Sequence, residues 1–347
     1  MRMIPLGRTG IDVSELCLGT MTWGTHTPQE EAHEQIDMSL DAGINFIDTA
    51  EAYPVNPIAA ETVGRSERVL GNWIDNSARR GDVVVATKVA GEGLRYIRDG
   101  APISKETIAE AVEGSLRRLR TDYIDLYQFH WPNRGSYMFR KNWTYDPSEQ
   151  DRQAVLDNMV ECLEAMNGLV KEGKIRAFGL SNESAWGTSQ WLRLSEEMGL
   201  PRVAGMQNEY SLLCRLYDTD MAELSVHEDI LLLAFSPLAA GYLTGKYANG
   251  QIPKGSRKSI GPEMGGRETK RVHEAVDVYL KVAQKHGLDP VQMALAWCQS
   301  RPFPVSSIFG ATHNDQLPVI LASADMVLSD EVLADINEAH KSCPMPY

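Results

Sequence analysis

The chain has 347 residues, 43% of them hydrophobic, enough for one large core or two ordinary ones. Its net charge of −13 argues against nucleic acid and anionic membrane surfaces as partners, and an anionic ligand would need a local basic patch. The five cysteines are scattered, with no Cys-x-x-Cys pair, so neither a disulfide framework nor a metal site is expected.

The opening segment reaches a turn at Gly7 before any apolar signal region forms. No run approaches the ~18 apolar residues of a membrane helix. A cytoplasmic protein is the expectation.

In chain order, Arg2–Leu6, Gly7–Gly10 and Ile11–Val13 predict a β-hairpin. Leu16–Thr20 is the first of several short apolar or β-branched runs. The spacing then predicts a helix from about Pro28 to Ala42, with Thr27 as N-cap, Glu30 closing a capping box and Gly43 as the stop. Strand-like runs follow at Asn45–Thr49 and Val83–Lys88. A second helix, Lys105–Leu119, puts Ile108, Val112, Leu116 and Leu119 on one stripe. Further runs lie at Tyr123–His130, Ile175–Ser181, Val203–Asn208 and Ile230–Ser236. A helix opens at Asp289-Pro290, with Gln292 at the reciprocal capping position. Val305–Gly310 is the eighth run, and Ser329 opens a last helix carrying Val332, Leu333 and Ile336.

Near-continuous apolar runs are the mark of parallel strands covered on both faces. Eight strand–helix units predict an α/β fold, a (β/α)8 TIM barrel forming a single domain over residues 1–347 behind an N-terminal hairpin. The competing doubly wound sheet lacks its Gly-x-Gly-x-x-Gly signature. Two long connections, Trp131–Arg152 and Ala239–Glu268, read as functional loops at the C-terminal face of the barrel.

In such a barrel the active site gathers at the C-terminal strand ends, and here those ends are polar. They read Asp48 to Tyr53, Thr87-Lys88, His130-Trp131, Ser181-Asn182, Gln207 to Tyr210, Ser236-Pro237-Leu238 and Gly310-Ala311-Thr312. Singly, each has a bland explanation as a helix cap, a packing residue or a solvated charge. Jointly, Asp48, Tyr53, Lys88 and His130 place four titratable groups at three successive strand ends. A tyrosine, with an ordinary pKa of about 10, donates a proton near neutrality only with help. A lysine ammonium can stabilise the phenolate, an aspartate can hold the lysine, and a histidine can aim a carbonyl. No side chain supplies a hydride, so a cofactor is required.

These residues resemble the aldo-keto reductases. The resemblance runs along the whole chain through Leu18-Gly-Thr-Met-Thr-Trp-Gly24, Gly43-Ile-Asn-Phe-Ile-Asp-Thr-Ala50 with Tyr53, and Ala86-Thr-Lys88. It continues through Asp122-Tyr-Ile-Asp-Leu-Tyr-Gln-Phe-His130, Gly173-Lys-Ile-Arg-Ala-Phe-Gly-Leu-Ser-Asn182, Met206-Gln-Asn-Glu-Tyr210, Phe235-Ser-Pro-Leu238 and Leu243-Thr-Gly-Lys-Tyr247. Ala50-Glu-Ala-Tyr-Pro54, His130-Trp-Pro132 and Tyr210-Ser-Leu-Leu213 resemble the bacterial Tas-type members in particular.

The resemblance implies an NAD(P)H-dependent oxidoreductase that reduces aldehydes or ketones to alcohols, with NADPH ahead of NADH. Asp48, Tyr53, Lys88 and His130 would be the catalytic tetrad, with Tyr53 the general acid. Thr20, Met21 and Asp48 would approach the nicotinamide ribose. Ser181, Asn182 and Gln207 would hold the carboxamide, and Phe235 would stack on the ring. Ser236, Pro237, Leu238 and Ala240 would line the pyrophosphate, with Lys246 and Arg257 pairing with phosphates. The same loop carries Lys254, Lys258, Arg267, Lys270 and Arg271, a basic cluster suited to a polyanionic cofactor. Gly310, Thr312 and Gln316 would meet the adenosine end. The family's following Glu-Asn pair is replaced by Val319 and Ile320, which cannot hydrogen-bond adenine. Trp23 and Trp131 would flank the entering small-molecule carbonyl. Two other classes remain open at this point: a Schiff-base lyase using Lys88 as nucleophile, and a non-catalytic cofactor-sensing subunit. The sequence names neither the oligomeric state nor the physiological substrate.

Overall fold

The computed structural model describes residues 1–55 and 57–347. Strands β1 (Met3–Pro5) and β2 (Asp12–Ser14) form an antiparallel hairpin with Ile4 opposite Val13. The eight expected runs form β3 (Leu16–Gly19), β4 (Phe46–Asp48), β5 (Val84–Val89), β6 (Ile124–Phe129), β7 (Ile175–Ser181), β8 (Val203–Glu209), β9 (Leu231–Phe235) and β10 (Val305–Phe309). They close into a parallel barrel in sequence order, with β10 pairing back onto β3. Helices follow the strands around the outside, so the expected (β/α)8 fold is present.

The two-residue period of the strands sorts the interior. Cys17, Phe46, Val84, Ala86, Leu126, Ala177, Leu231, Leu233 and Ile308 share one cluster, the filling of the barrel. Ile4, Leu6, Ile11 and Val13 belong to it too, so the hairpin plugs the end where the strands begin. The plug seats closely: a Cβ on Gly7, at φ +55, would lie 2.7 Å from the Ala204 carbonyl oxygen. Continuing the same parity upward puts Asp48, Lys88 and Gln128 on the inward side at the opposite end. The hydrophobic filling stops one residue pair below the polar layer.

Helix starts follow the expected chemistry in most places. Ser104 and Thr107 form a reciprocal capping box at Lys105–Leu119. Asp289 caps Pro290–Gln299 and Ser329 caps Asp330–Ser342. Gln292 contributes its backbone N–H to Asp289 rather than a side-chain bond. The first helix departs from expectation. It spans Gln29–Asp41 with Pro28 at the N-cap and no side-chain cap. The Thr27 hydroxyl is committed elsewhere, 2.9 Å from the Thr22 hydroxyl, which closes the turn around Trp23.

The two long connections lie where the sequence puts them. Residues 131–151 have no regular element, and residues 239–269 carry 3-10 turns and one short helix, Arg257–Ile260. Among the described residues no helix is long and apolar enough to cross a membrane.

Candidate active site

Asp48 ends β4 and Lys88 sits one position before the end of β5; register pairs Asp48 with Ala86 and Lys88 with Gln128. The Lys88 ammonium is fully buried and donates to Asp48 Oδ2 and to the Thr49 carbonyl, each at 2.7 Å. The other Asp48 oxygen accepts from Gln207 Nε2 at 2.8 Å and Gln128 Nε2 at 3.4 Å. A buried ion pair is tolerable only when its remaining hydrogen-bonding capacity is met, and this one is supported by the adjoining Thr49 carbonyl and from two further strands, β6 and β8. Gln128 was not singled out from sequence. Its signal is an amide in a fully buried strand, two residues before His130.

Tyr53 projects from the turn after β4. The Lys88 nitrogen lies 4.8 Å from the centre of its ring. The His130 ring stands edge-on to it at 5.7 Å between centroids. The tetrad expected from sequence is thus brought together in one cluster. Burial pushes the Tyr53 phenol above its ordinary value, while Lys88 pulls against that shift. Burial works against the Lys88 ammonium too, but Asp48 and Tyr53 outweigh it and leave it above the ordinary lysine value. Such a lysine stays protonated, which removes the nucleophilic amine that a Schiff-base reading requires. Burial, with Lys88 beside it, holds the His130 imidazole well below its usual range, so it is neutral. The arrangement presents a protonated phenol, a fixed cation and a neutral imidazole to one spot.

The two tryptophans diverge. Trp131 packs 4.9 Å from the His130 ring and 6.3 Å from Phe139, with its N–H anchored on the Glu92 carbonyl. Trp23, expected beside it, is not at the mouth. It is fully buried and donates to Gln35, part of the packing under the first helix. A large aromatic in a Gly-rich turn reads equally well as core or rim, and here the core takes it.

The cofactor candidates fall at successive strand ends. Thr20 follows β3, its N–H bonded to the Asp48 carbonyl and its buried hydroxyl without a partner among the described residues. The Met21 carbonyl receives the Val55 N–H. Asn182 has φ 54 and donates to the His130 carbonyl and to Ser181 Oγ, leaving its buried Oδ1 free. Gln207, expected on a carboxamide, donates its amide N–H to Asp48 at 2.8 Å and to Gln128 Oε1 at 3.3 Å. Phe235 ends β9, and Ser236, Pro237, Leu238 and Ala240 form the turn that leaves it. Lys246 folds over Gly241, where a Cβ would fall 2.8 Å from its Cε. Among the described residues neither Lys246 nor Arg257 is in an ion pair. Burial, followed by Arg267 and Arg140, pushes Arg257 down to about 10.

Of the rest of the expected basic cluster, Lys254 and Lys270 are exposed, and the other three are committed internally. Arg267 pairs with Glu209 and Lys258 with Glu268. Arg271 donates to the carbonyls of Met345 and Pro344. At the far end Gln316 accepts from the Thr312 N–H at 3.0 Å and donates back to its hydroxyl, downstream of Gly310. Ile320 is buried and Val319 packs on the core, so both replacements of the Glu-Asn pair are structural. Orphaned Thr20 and Asn182 oxygens below and unpaired Lys246 and Arg257 above suit a polar ring at one end and phosphates at the other. The residues present therefore fit a nicotinamide dinucleotide.

A parallel barrel with this polar layer at its C-terminal mouth defines an enzyme-like scaffold, and comparison with known proteins identifies it. A sequence model of the Aldo/keto reductase family matches residues 15–341. The chain is 40% identical to Protein tas of Escherichia coli (strain K12), over 97% of each chain. It is 35% identical to an aldo-keto reductase of Babesia bovis, over 74% of this chain and 95% of the relative. It is also 32% identical, over 98% of this chain and 96% of the relative, to a probable voltage-gated potassium channel subunit beta of Oryza sativa subsp. japonica. The chain belongs to the aldo/keto reductase family, oxidoreductases that act on small-molecule carbonyl compounds and generally use NAD(P)H.

Proposed function

We propose that this protein reduces aldehydes or ketones to alcohols with NADPH, using Tyr53 as general acid and Lys88, Asp48 and His130 as its support. The observation that carries the proposal is the buried Asp48–Lys88 pair set against the Tyr53 ring and edge-on His130. A bound nicotinamide supplies the hydride. The chain's own part is the oxygen of the carbonyl. Neutral His130 hydrogen-bonds and aims it. The Tyr53 hydroxyl gives up its proton as negative charge develops there. The Lys88 ammonium, fixed by Asp48, stabilises the phenolate left behind. Trp131 forms one wall beside the carbonyl. Thr20 and Asn182 offer polar contacts to the nicotinamide end, and Lys246 and Arg257 to the phosphates.

Kinship, and the cations Lys246 and Arg257 that are in no ion pair among the described residues, support NADPH over NADH. Titrating both cofactors against intrinsic tryptophan fluorescence, then following reduced-cofactor oxidation with a panel of aldehydes and ketones, tests the reading. Tighter NADPH binding and stoichiometric alcohol are expected. Tighter NADH binding would overturn the cofactor choice. Cofactor binding without turnover on any carbonyl would favour a non-catalytic, cofactor-sensing role.

A further inference from the structure

Glu209 is the last residue of β8, two positions beyond Gln207 and on the same inward side. Its carboxylate is buried and accepts from three segments distant in sequence. Arg140 Nη1, from the 131–151 connection, lies at 2.8 Å. Arg267 Nε, from the 239–269 connection, also lies at 2.8 Å. The Tyr347 hydroxyl, from the last residues of the chain, lies at 3.2 Å. Arg267 further donates to the Met264 carbonyl, and its guanidinium sits 5.8 Å from the centre of the Tyr347 ring. Thr269 and Arg271 bind the carbonyls of Pro346, Met345 and Pro344, so the tail is held along its length.

Charge makes this more than a staple. Two guanidinium groups share one carboxylate, and the side chains of Arg267 and Glu209 are only 4% and 7% exposed. A buried charge that loses its partner is costly, so Glu209 is what both guanidiniums depend on: Arg140 and Arg267 each tie their connection to it by an ion pair, and Tyr347 ties the tail to it by a hydrogen bond. Burial alone would raise the Glu209 carboxyl, but Arg267 and Arg140 hold it below its ordinary value. The surplus positive charge is felt at Arg257 of the cofactor loop, which is in no ion pair among the described residues.

We infer that Glu209 is a positioning residue that latches the 131–151 connection, the 239–269 connection and the tail at 343–347 into one closing unit over the barrel mouth. Closure over the cofactor and shaping of the carbonyl pocket are then a single event. The identity of what lies beneath rests on the reductase reading; the coupling itself does not.

Hydrogen–deuterium exchange on the full chain, alone and with NADPH, tests the latch in wild type, Arg140→Met and Glu209→Gln. Arg140→Met removes a group from the 131–151 connection only. It is nevertheless expected to speed exchange in all three segments, by about fivefold or more, with the barrel strands unchanged. Acceleration confined to 131–151 would overturn the inference. Glu209→Gln, checked by its thermal melt, is expected to weaken NADPH binding and raise carbonyl KM together, each by at least about fivefold, with kcat nearly unchanged. A change in only one of the two constants would also overturn it. If Glu209→Gln does not fold, Arg140→Met decides alone. If the reductase reading is wrong, NADPH protects nothing in wild type, while the three-segment response to Arg140→Met still reports on the latch.

Discussion

Lys88 and Asp48 form an ion pair that is almost wholly shut off from water. Both are buried, and each is tolerable only because the other is there. Asp48→Asn should strand the Lys88 ammonium and cost about 3–5 kcal/mol, lowering Tm by on the order of 10 °C. An unchanged melt would mean the pair is far better solvated than its burial implies. His130 sets a second expectation. Burial keeps it neutral, and burial with Arg215 nearby pushes His340 down to about 4. The unfolded chain takes up these protons near pH ~6.5, so their contribution to stability is complete above that pH and lost as pH falls below it. Denaturation midpoints should therefore drop between about pH 7 and pH 5, where carboxylates are still ionised, and drop less in His340→Asn. A flat midpoint over that window would contradict the neutral state of both rings. At this scale the clustering of Asp48, Tyr53, Lys88 and His130 was legible, because all four lie at or just beyond strand ends. Trp23 was misplaced because bulk and apolarity do not say which side of a turn is wet. Glu209 stood in plain view in Gln207 to Tyr210, but its partners lie 58, 69 and 138 residues away, and no local pattern connects them.

The elements follow local chemistry closely. Strands were found where β-branched and apolar residues run together, with ends shifted by a residue or two. Of the three caps expected from the sequence, Asp289 and Ser329 are used and Thr27 is not; Ser104, which caps the second helix, was not singled out. Ser104→Ala should cost about 1 kcal/mol by removing the acceptor for the Thr107 N–H, measurable by chemical denaturation. Asp289→Ala should cost about the same, and Thr27→Ala should not act as a cap loss, because Thr27 caps no helix in the fold. If Thr27→Ala nonetheless destabilises, the cause is its bond to Thr22 rather than the helix. The first helix shows the limit of reading a motif by spacing. A capping box needs a free hydroxyl, and a tertiary contact had already claimed this one.

On the scale of the whole molecule, the barrel separates stability from chemistry by height. The hairpin plug and lumen filling occupy one end, and Asp48, Lys88, Gln128 and Gln207 form a polar floor at the other. The sequence made the barrel legible through its strand–helix alternation. It could not show how the long connections meet, because their contacts are single side chains from segments with no periodicity. The floor accounts for the chemistry only if Tyr53 is the proton donor. The most direct measurement is steady-state carbonyl reduction by Tyr53→Phe, alongside its equilibrium affinity for NADPH. The account expects kcat/KM to fall by about 10²–10⁴-fold with cofactor affinity nearly unchanged. Turnover close to wild type in that variant would contradict it.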